Sequence, residues 1–218
     1  MKISEGSKII DLLPRDVCRA AVLLSFILSL WVSFTGGIVN LDGILYLNVA
    51  DLLGKGDFSG AAELYGWFFY PLLIAGVHKI SGFGLEMSAH LLTALFSALL
   101  TYAFLACVRE LGGNRKILFL AAIIIIFHPV FMEFRAKIFR DHGYLAFYLL
   151  GVLCFLKFYG LPLWRYAFLW GLSMLVATLF RIEGLLFLSM LPTAIIFNKS
   201  FTLSKRLYHF ARAHLVNF

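Results

Sequence analysis

The chain has 218 residues, of which 61% are hydrophobic and only 14% charged, and its mean hydropathy is +0.90. Soluble domains are about half apolar, so a soluble enzyme or nucleic-acid-binding module is excluded and the composition is that of an all-α polytopic membrane protein. The net charge of +7 is then read as segments facing anionic lipid, with no nucleic-acid partner.

Lys2, Lys8, Arg15 and Arg19 precede the first apolar run, 20–41, and no small-residue cleavage pattern follows them. This is the pattern of an uncleaved signal anchor. Cys18, Cys107 and Cys154 are odd in number and lie in or beside apolar runs, which favours buried reduced thiols over disulfides or metal ligands.

The stretch "VNLDGILYLNVADLLGKGDFSG", residues 39–60, is unusually acidic for this chain. Leu41, Ile44, Leu45, Val49, Leu52 and Leu53 recur at helical spacing, and Gly54 with Gly56 supplies a stop, which predicts a short amphipathic interfacial helix. Asp42 and Tyr46, four apart, share a face of it. A carboxylate near a helix start also has a simple structural role, accepting from free amides and complementing the helix dipole. A second interfacial element follows over 64–81, with Trp67, Phe68, Phe69 and Tyr70 at headgroup level and Pro71 opening its helical part.

Residues 87–108 form the second secure charge-free run. The runs 117–132, 142–156, 166–180 and 184–198 are shorter, so spans built on them bring flanking charges that snorkel or line a polar cavity. Counting 64–81 as interfacial gives six transmembrane helices. Thirteen of the 19 Lys and Arg then lie inside, leaving Lys55, Lys79, Arg135, Lys137, Arg140 and Arg181 outside. Counting it as a crossing gives seven helices, with nine inside and ten outside, which is no bias. The positive-inside rule therefore favours six spans, a cytoplasmic amino terminus and a long outer first loop over 40–86 carrying two juxtamembrane helices.

Two later outer turns also carry charge. "FHPVFMEFRAKIFRDHGYLAF" delivers Glu133, Arg135, Lys137, Arg140 and Asp141, and "LFRIEGLLF" delivers Arg181 and Glu183. Polar groups at that depth persist where they pair or line a site. Pairing within each turn, Arg140 with Asp141 or Arg181 with Glu183, is one reading; convergence of three turns on one face is the other. His90 and His128 fit interior hydrogen-bonded histidines, and no metal-ligating pattern is present. The basic aromatic tail, 199–218, reads as a cytoplasmic interfacial helix whose Lys205, Arg206 and Arg212 suit anionic headgroups.

In their order, "LDGILYLNVADLLGKGDF", "FYPLLIAGVHKISG", "HPVFMEFRAKIFRDHGYLAF" and "LSMLVATLFRIEGLLFL" resemble the amino-terminal module of the GT-C superfamily of membrane glycosyltransferases. The likeness is to the protein mannosyltransferase and aminoarabinose transferase type, over roughly residues 10–200, and 1–218 is expected to form a single transmembrane module. It implies acidic active-site residues in the first and second outer loops, a basic residue after the fifth span, and a juxtamembrane second element in the first loop. Aminoarabinose transferases carry an acidic-lysine-proline triplet where this chain has Phe69, Tyr70 and Pro71, which argues against their substrate. Family members continue through further spans, so a minimal relative, a truncated product or a part of a longer protein is expected.

The resemblance implies transfer of a sugar from a polyprenyl-phosphate-linked donor to a hydroxyl of a lipid, glycan or protein acceptor at the outer face. Asp42 is the expected base, positioned by Tyr46, and Asp141 the second catalytic acid. Arg140 and Arg181, with Glu183 beside them, would bind substrate, the guanidiniums chelating phosphate through paired N–H donors. No cofactor is expected, although a divalent ion could assist, and the expected location is the bacterial inner membrane. The alternative is a non-catalytic membrane component, a small transporter or assembly partner, whose outer charges only stabilise turns.

Overall fold

The computed structural model describes the backbone of residues 6–35 and 39–215, and within those ranges the side chains from residue 16 onward. The described residues contain helices and turns and no strand, as a lipid solvent requires, because each backbone N–H and C=O must find its partner within its own segment.

Three helices are long and apolar enough to cross a membrane: α1 (Gly6–Thr35, through its segment 16–35), α5 (Leu85–Glu110) and α8 (Asp141–Gly160). A fourth candidate is a bent pair, α6 (Arg115–Phe127) and α7 (Pro129–Arg135), which meet at 49°. Pro129 causes the break. It has no N–H to donate, and it disfavours the helical region for His128, whose φ of −60° and ψ of 129° are extended. Two shorter apolar helices complete the bundle, α9 (Trp164–Phe180) and α10 (Glu183–Met190), the latter running on as a 3₁₀ helix, Leu191–Phe197. Each of the six charge-free runs of the sequence thus carries a helix, and among the described residues three to four of them meet the length and composition of a span.

Within the bundle α1 packs on α5, α5 on α8, and α8 on α9. The turn from α5 to α6 uses Gly112 at φ +88°, a left-handed conformation that a side chain would strain. Asn114 then caps α6 by accepting from the amides of Lys116 and Ile117.

Over the other end lie α2 (Leu41–Gly54), α3 (Phe58–Leu64) and α4 (Phe69–Ser81). A helix with its glycine stop is present where the first interfacial element was expected, but the face it buries differs from the apolar stripe. Gly43, Tyr46, Val49, Ala50 and Leu53 turn inward, whereas Leu41 is 85% and Ile44 46% exposed. In lipid an apolar side chain loses nothing by facing outward, so close packing selects small and shape-matched residues for the interior. Gly43 shows the constraint, since a Cβ there would lie 3.1 Å from the Cβ of Ile138.

The short helix α3 was not foreseen. Asp57 caps it, accepting from the Gly60 amide at 2.9 Å, and these bonds to Gly60 and Ser59 hold the Asp57 carboxyl below its ordinary value. The second expected element starts its helix at Phe69, so Pro71 falls in the first turn of α4, where a missing N–H costs nothing.

The tail helix α11 (Leu203–Leu215) folds against the α8–α9 turn. Its Arg212 is 8% exposed, lies 4.2 Å from the Trp164 ring centroid and donates to the Pro162 carbonyl at 2.9 Å. This arginine is therefore spent on an intramolecular cation–π contact and not on lipid headgroups.

Candidate active site

The ends of α1, α7 and α9 and the starts of α5, α8 and α10 fall at one end of the bundle, beneath α2–α4. Asn40 fastens these parts together. Its side chain accepts from the Ile138 amide at 2.9 Å and donates to the Ile138 carbonyl at 3.3 Å, tying the start of α2 to the α7–α8 turn. This explains why Asn40 occupies the N-cap position yet makes no cap hydrogen bond. A second tie is Trp67 Nε1, which donates to the Leu179 carbonyl at 2.7 Å and holds the α3–α4 connection on the end of α9.

Near these ties the candidate side chains fall into two groups, Tyr46, Tyr65 and Arg140 in one and Asp141, Arg181 and Glu183 in the other, with Asp42 apart. Asp42 is exposed in the first turn of α2 and, among the described residues, makes no hydrogen bond or ion pair. One turn on, Tyr46 is buried at 5% exposure, with its ring 5.6 Å from that of Tyr65 and 5.4 Å from that of Tyr70. Burial pushes the Tyr46 phenol well above a tyrosine's ordinary value, Tyr65 and Asp42 act in the same direction, and Arg140 opposes them. Tyr46 is a neutral hydroxyl at any physiological pH.

The Tyr65 hydroxyl accepts from Arg140 Nη1 at 2.7 Å. Arg140 thus pairs with Tyr65 and not with its neighbour Asp141, and among the described residues its other donors make no hydrogen bond. Asp141 accepts from Arg181 Nη1, which joins the α7–α8 turn to the α9–α10 turn. The rest of the Arg181 fork grips Glu183, Nη2 to Oε1 at 2.7 Å and Nε to Oε2 at 3.3 Å. The bond from Arg181 holds the Glu183 carboxyl at about 2, and the two acids raise Arg181 further. Tyr144 lies beneath the guanidinium, 5.9 Å from its ring centroid.

Of the six anticipated residues, Asp141, Arg181 and Glu183 form one ion-paired cluster, Tyr46 and Arg140 both contact Tyr65, and Asp42 stands one helical turn before Tyr46 with no hydrogen bond or ion pair of its own among the described residues. Within-turn pairing holds for Arg181 with Glu183 and fails for Arg140 with Asp141. Arg135 also departs from expectation. Instead of facing the outer turn it is buried at 3%, donating through Nη1 to the Ser25 carbonyl at 2.8 Å and to the hydroxyls of Ser25 and Ser29. The 49° bend carries it there, pointing α7 back toward α1. Glu133 and Lys137 form an exposed i,i+4 pair. His128 is exposed and caps α7 by accepting from the Val130 amide, so of the two histidines expected inside His90 alone is buried, and its Nδ1 has no hydrogen-bond partner among the described residues.

Tyr65, Tyr144, Asn40 and His142 were not singled out from the sequence. His142 Nε2 bonds the Phe134 carbonyl at 2.9 Å and folds α7 onto α8. Tyr65, in "ELYGW", lies two residues before the aromatic set Trp67, Phe68, Phe69 and Tyr70 placed at headgroup level, and that adjacency was the available signal.

An all-helical bundle with several membrane-crossing helices and a charged cluster at one end is a multi-pass integral membrane protein. The family model described as dolichyl-phosphate-mannose-protein mannosyltransferase matches residues 38–180, and the chain belongs to that family, a GT-C family of membrane glycosyltransferases. No curated protein and no solved structure gave a match.

Proposed function

We propose that this protein transfers a sugar, mannose by its family's description, from a polyprenyl-phosphate-linked donor to an acceptor hydroxyl at the outer face of the membrane. The observation that carries this reading is the exposed Asp42, which makes no hydrogen bond or ion pair among the described residues and stands one turn before the Tyr46–Tyr65–Arg140 contacts, with the Asp141–Arg181–Glu183 cluster beginning at the residue after Arg140. The membrane is crossed six times, the amino terminus is cytoplasmic, and 40–86 is the outer loop.

The reaction needs a base, a cation and a place for the lipid. As the acceptor oxygen bonds to the anomeric carbon, its proton passes to the Asp42 carboxylate; the bond from that carbon to the phosphate oxygen breaks, and polyprenyl phosphate departs with the electron pair. Arg140 is the phosphate ligand, because only one of its donors is occupied. Arg181 orients Asp141, the second acid, toward the acceptor, with Glu183 as its counter-charge. For the lipid, an apolar groove of about 320 Å³ is lined by Gly66, Trp67, Phe68, Phe69, Leu72 and Leu179, two residues from Arg181. Its aromatic walls suit an isoprenoid chain. Among the described residues no group of three His, Cys, Asp or Glu gathers as metal ligands, and the proposed chemistry uses none.

The rival reading, a non-catalytic component with paired structural charges, takes support from Arg181, whose fork is fully engaged by two carboxylates. It leaves Asp42 only the helix-dipole role of a first-turn carboxylate. Membranes containing this chain, supplied with radiolabelled mannose on a polyprenyl phosphate, separate the two. Label appearing in a chain-dependent product supports transfer, and none above membranes lacking the chain supports the rival.

A further inference from the structure

The opposite end of the bundle carries a second feature, which the transfer reaction does not use. A cavity of about 580 Å³ lies between α1 and α5, lined by Cys18, Arg19, Val22, Leu23, Phe26, Ala98, Tyr102 and Arg109. Arg19 stands 16 residues before the end of α1 and Arg109 is 24 residues beyond the start of α5, about 24 and 36 Å along their helices, so both lie far from Asp42.

Chemically the groove is divided. Val22, Leu23, Phe26 and Ala98 give it an apolar wall, with Leu23 59% exposed, while Arg19 and Arg109 stand at one end with Tyr102 partly exposed alongside. Arg109 lies within electrostatic reach of Cys18, one residue from Arg19. Asp16 and Glu110 are close in sequence, yet among the described residues neither arginine pairs with a carboxylate. Two uncompensated guanidiniums above a strip of hydrocarbon match a phosphate diester carrying acyl chains.

We infer that this groove is a binding site for one anionic phospholipid of the leaflet opposite the candidate active site, with an acyl chain along Val22, Leu23, Phe26 and Ala98 and its phosphate between Arg19 and Arg109. A zwitterionic lipid brings its own cation and gains less. Two arginines near the surface favour an anionic headgroup by about thirtyfold in affinity.

Cys18 lines the groove and is partly exposed, whereas Cys107 and Cys154 are buried. A small thiol reagent therefore reports on occupancy at Cys18 while the other two thiols report on folding. In detergent, phosphatidylglycerol at ten times its Kd slows Cys18 modification about tenfold in the full chain, and phosphatidylcholine at that concentration does not. The double substitution Arg19→Gln, Arg109→Gln abolishes the protection with Cys107 and Cys154 still unreactive. Where that variant fails to fold, Arg109→Gln alone is expected to lose about fivefold of the preference. Equal protection by phosphatidylcholine, undiminished protection in the folded variants, full protection by inorganic phosphate alone, or lipid-independent protection that grows with protein concentration each overturns the assignment.

Discussion

Arg140 Nη1 donates to the Tyr65 hydroxyl at 2.7 Å, joining two segments 75 residues apart in sequence. The bond aims the guanidinium across the first loop and away from Asp141. Hydrogen bonds to charged groups contribute about 1.5–3 kcal/mol, so Tyr65→Phe is expected to lower kcat/KM for the lipid donor by roughly 10- to 100-fold. Arg140→Lys falls at least as far, because one ammonium cannot reproduce the planar fork that serves both Tyr65 and a phosphate. Donor titrations in reconstituted vesicles measure both.

Arg181 holds Asp141 and Glu183 together, which makes the cluster sensitive to acid. The Glu183 carboxyl titrates at about 2 in the folded protein against 4.5 for an unperturbed glutamate. A depressed carboxyl stabilises the fold fully above the unfolded value and loses that stabilisation as pH falls through the folded one. Melting temperature is therefore expected to fall between about pH 4.5 and pH 2 more steeply in the wild type than in Glu183→Gln. Glu183 is half exposed, so the difference is small and shrinks with salt.

Arg135, Ser25 and Ser29 form a buried polar unit completed by Thr101, which donates to the Ser25 hydroxyl at 2.9 Å. Ser25→Ala with Ser29→Ala strips acceptors from a buried cation and is expected to destabilise by about 2–4 kcal/mol. Adding Arg135→Met removes the charge and recovers most of the loss, a coupling that thermal unfolding of the double and triple variants reveals.

Gly143 lets α8 approach α9. A Cβ there would collide with the Phe180 ring, the residue before Arg181. Gly143→Ala is expected to cost about 1–3 kcal/mol by overpacking and to lower transfer by displacing Arg181 from Asp141. Melting curves and transfer rates on one preparation check both effects.

Hydropathy located the helical runs, the glycine stop of α2 matched, and the charges of the two later turns meet where Arg181 grips Asp141, while Asp42 of the first segment joins no ion pair among the described residues. Orientation within the membrane was less legible. Apolarity cannot say which face of α2 turns inward when lipid and protein interior are equally apolar, so Leu41 and Ile44 misled and Gly43 and Tyr46 face the core. Nor does charge reveal its partner. Arg135 and Arg140 lie in one short turn, yet the Pro129 bend sends the first toward Ser25 and leaves the second to Tyr65. The Asn40–Ile138 clip spans 98 residues and had no local signature at all.

The central claim is that Asp42 removes the acceptor's proton, and substituting it tests this most directly. Asp42 is exposed and makes no hydrogen bond among the described residues, so Asp42→Asn leaves the melting temperature unchanged. A general base supplies about 10²- to 10⁴-fold in rate, and the transfer of sugar from a polyprenyl phosphate donor is predicted to fall by that factor at saturating donor. Transfer at the wild-type rate by a folded Asp42→Asn protein would contradict the account.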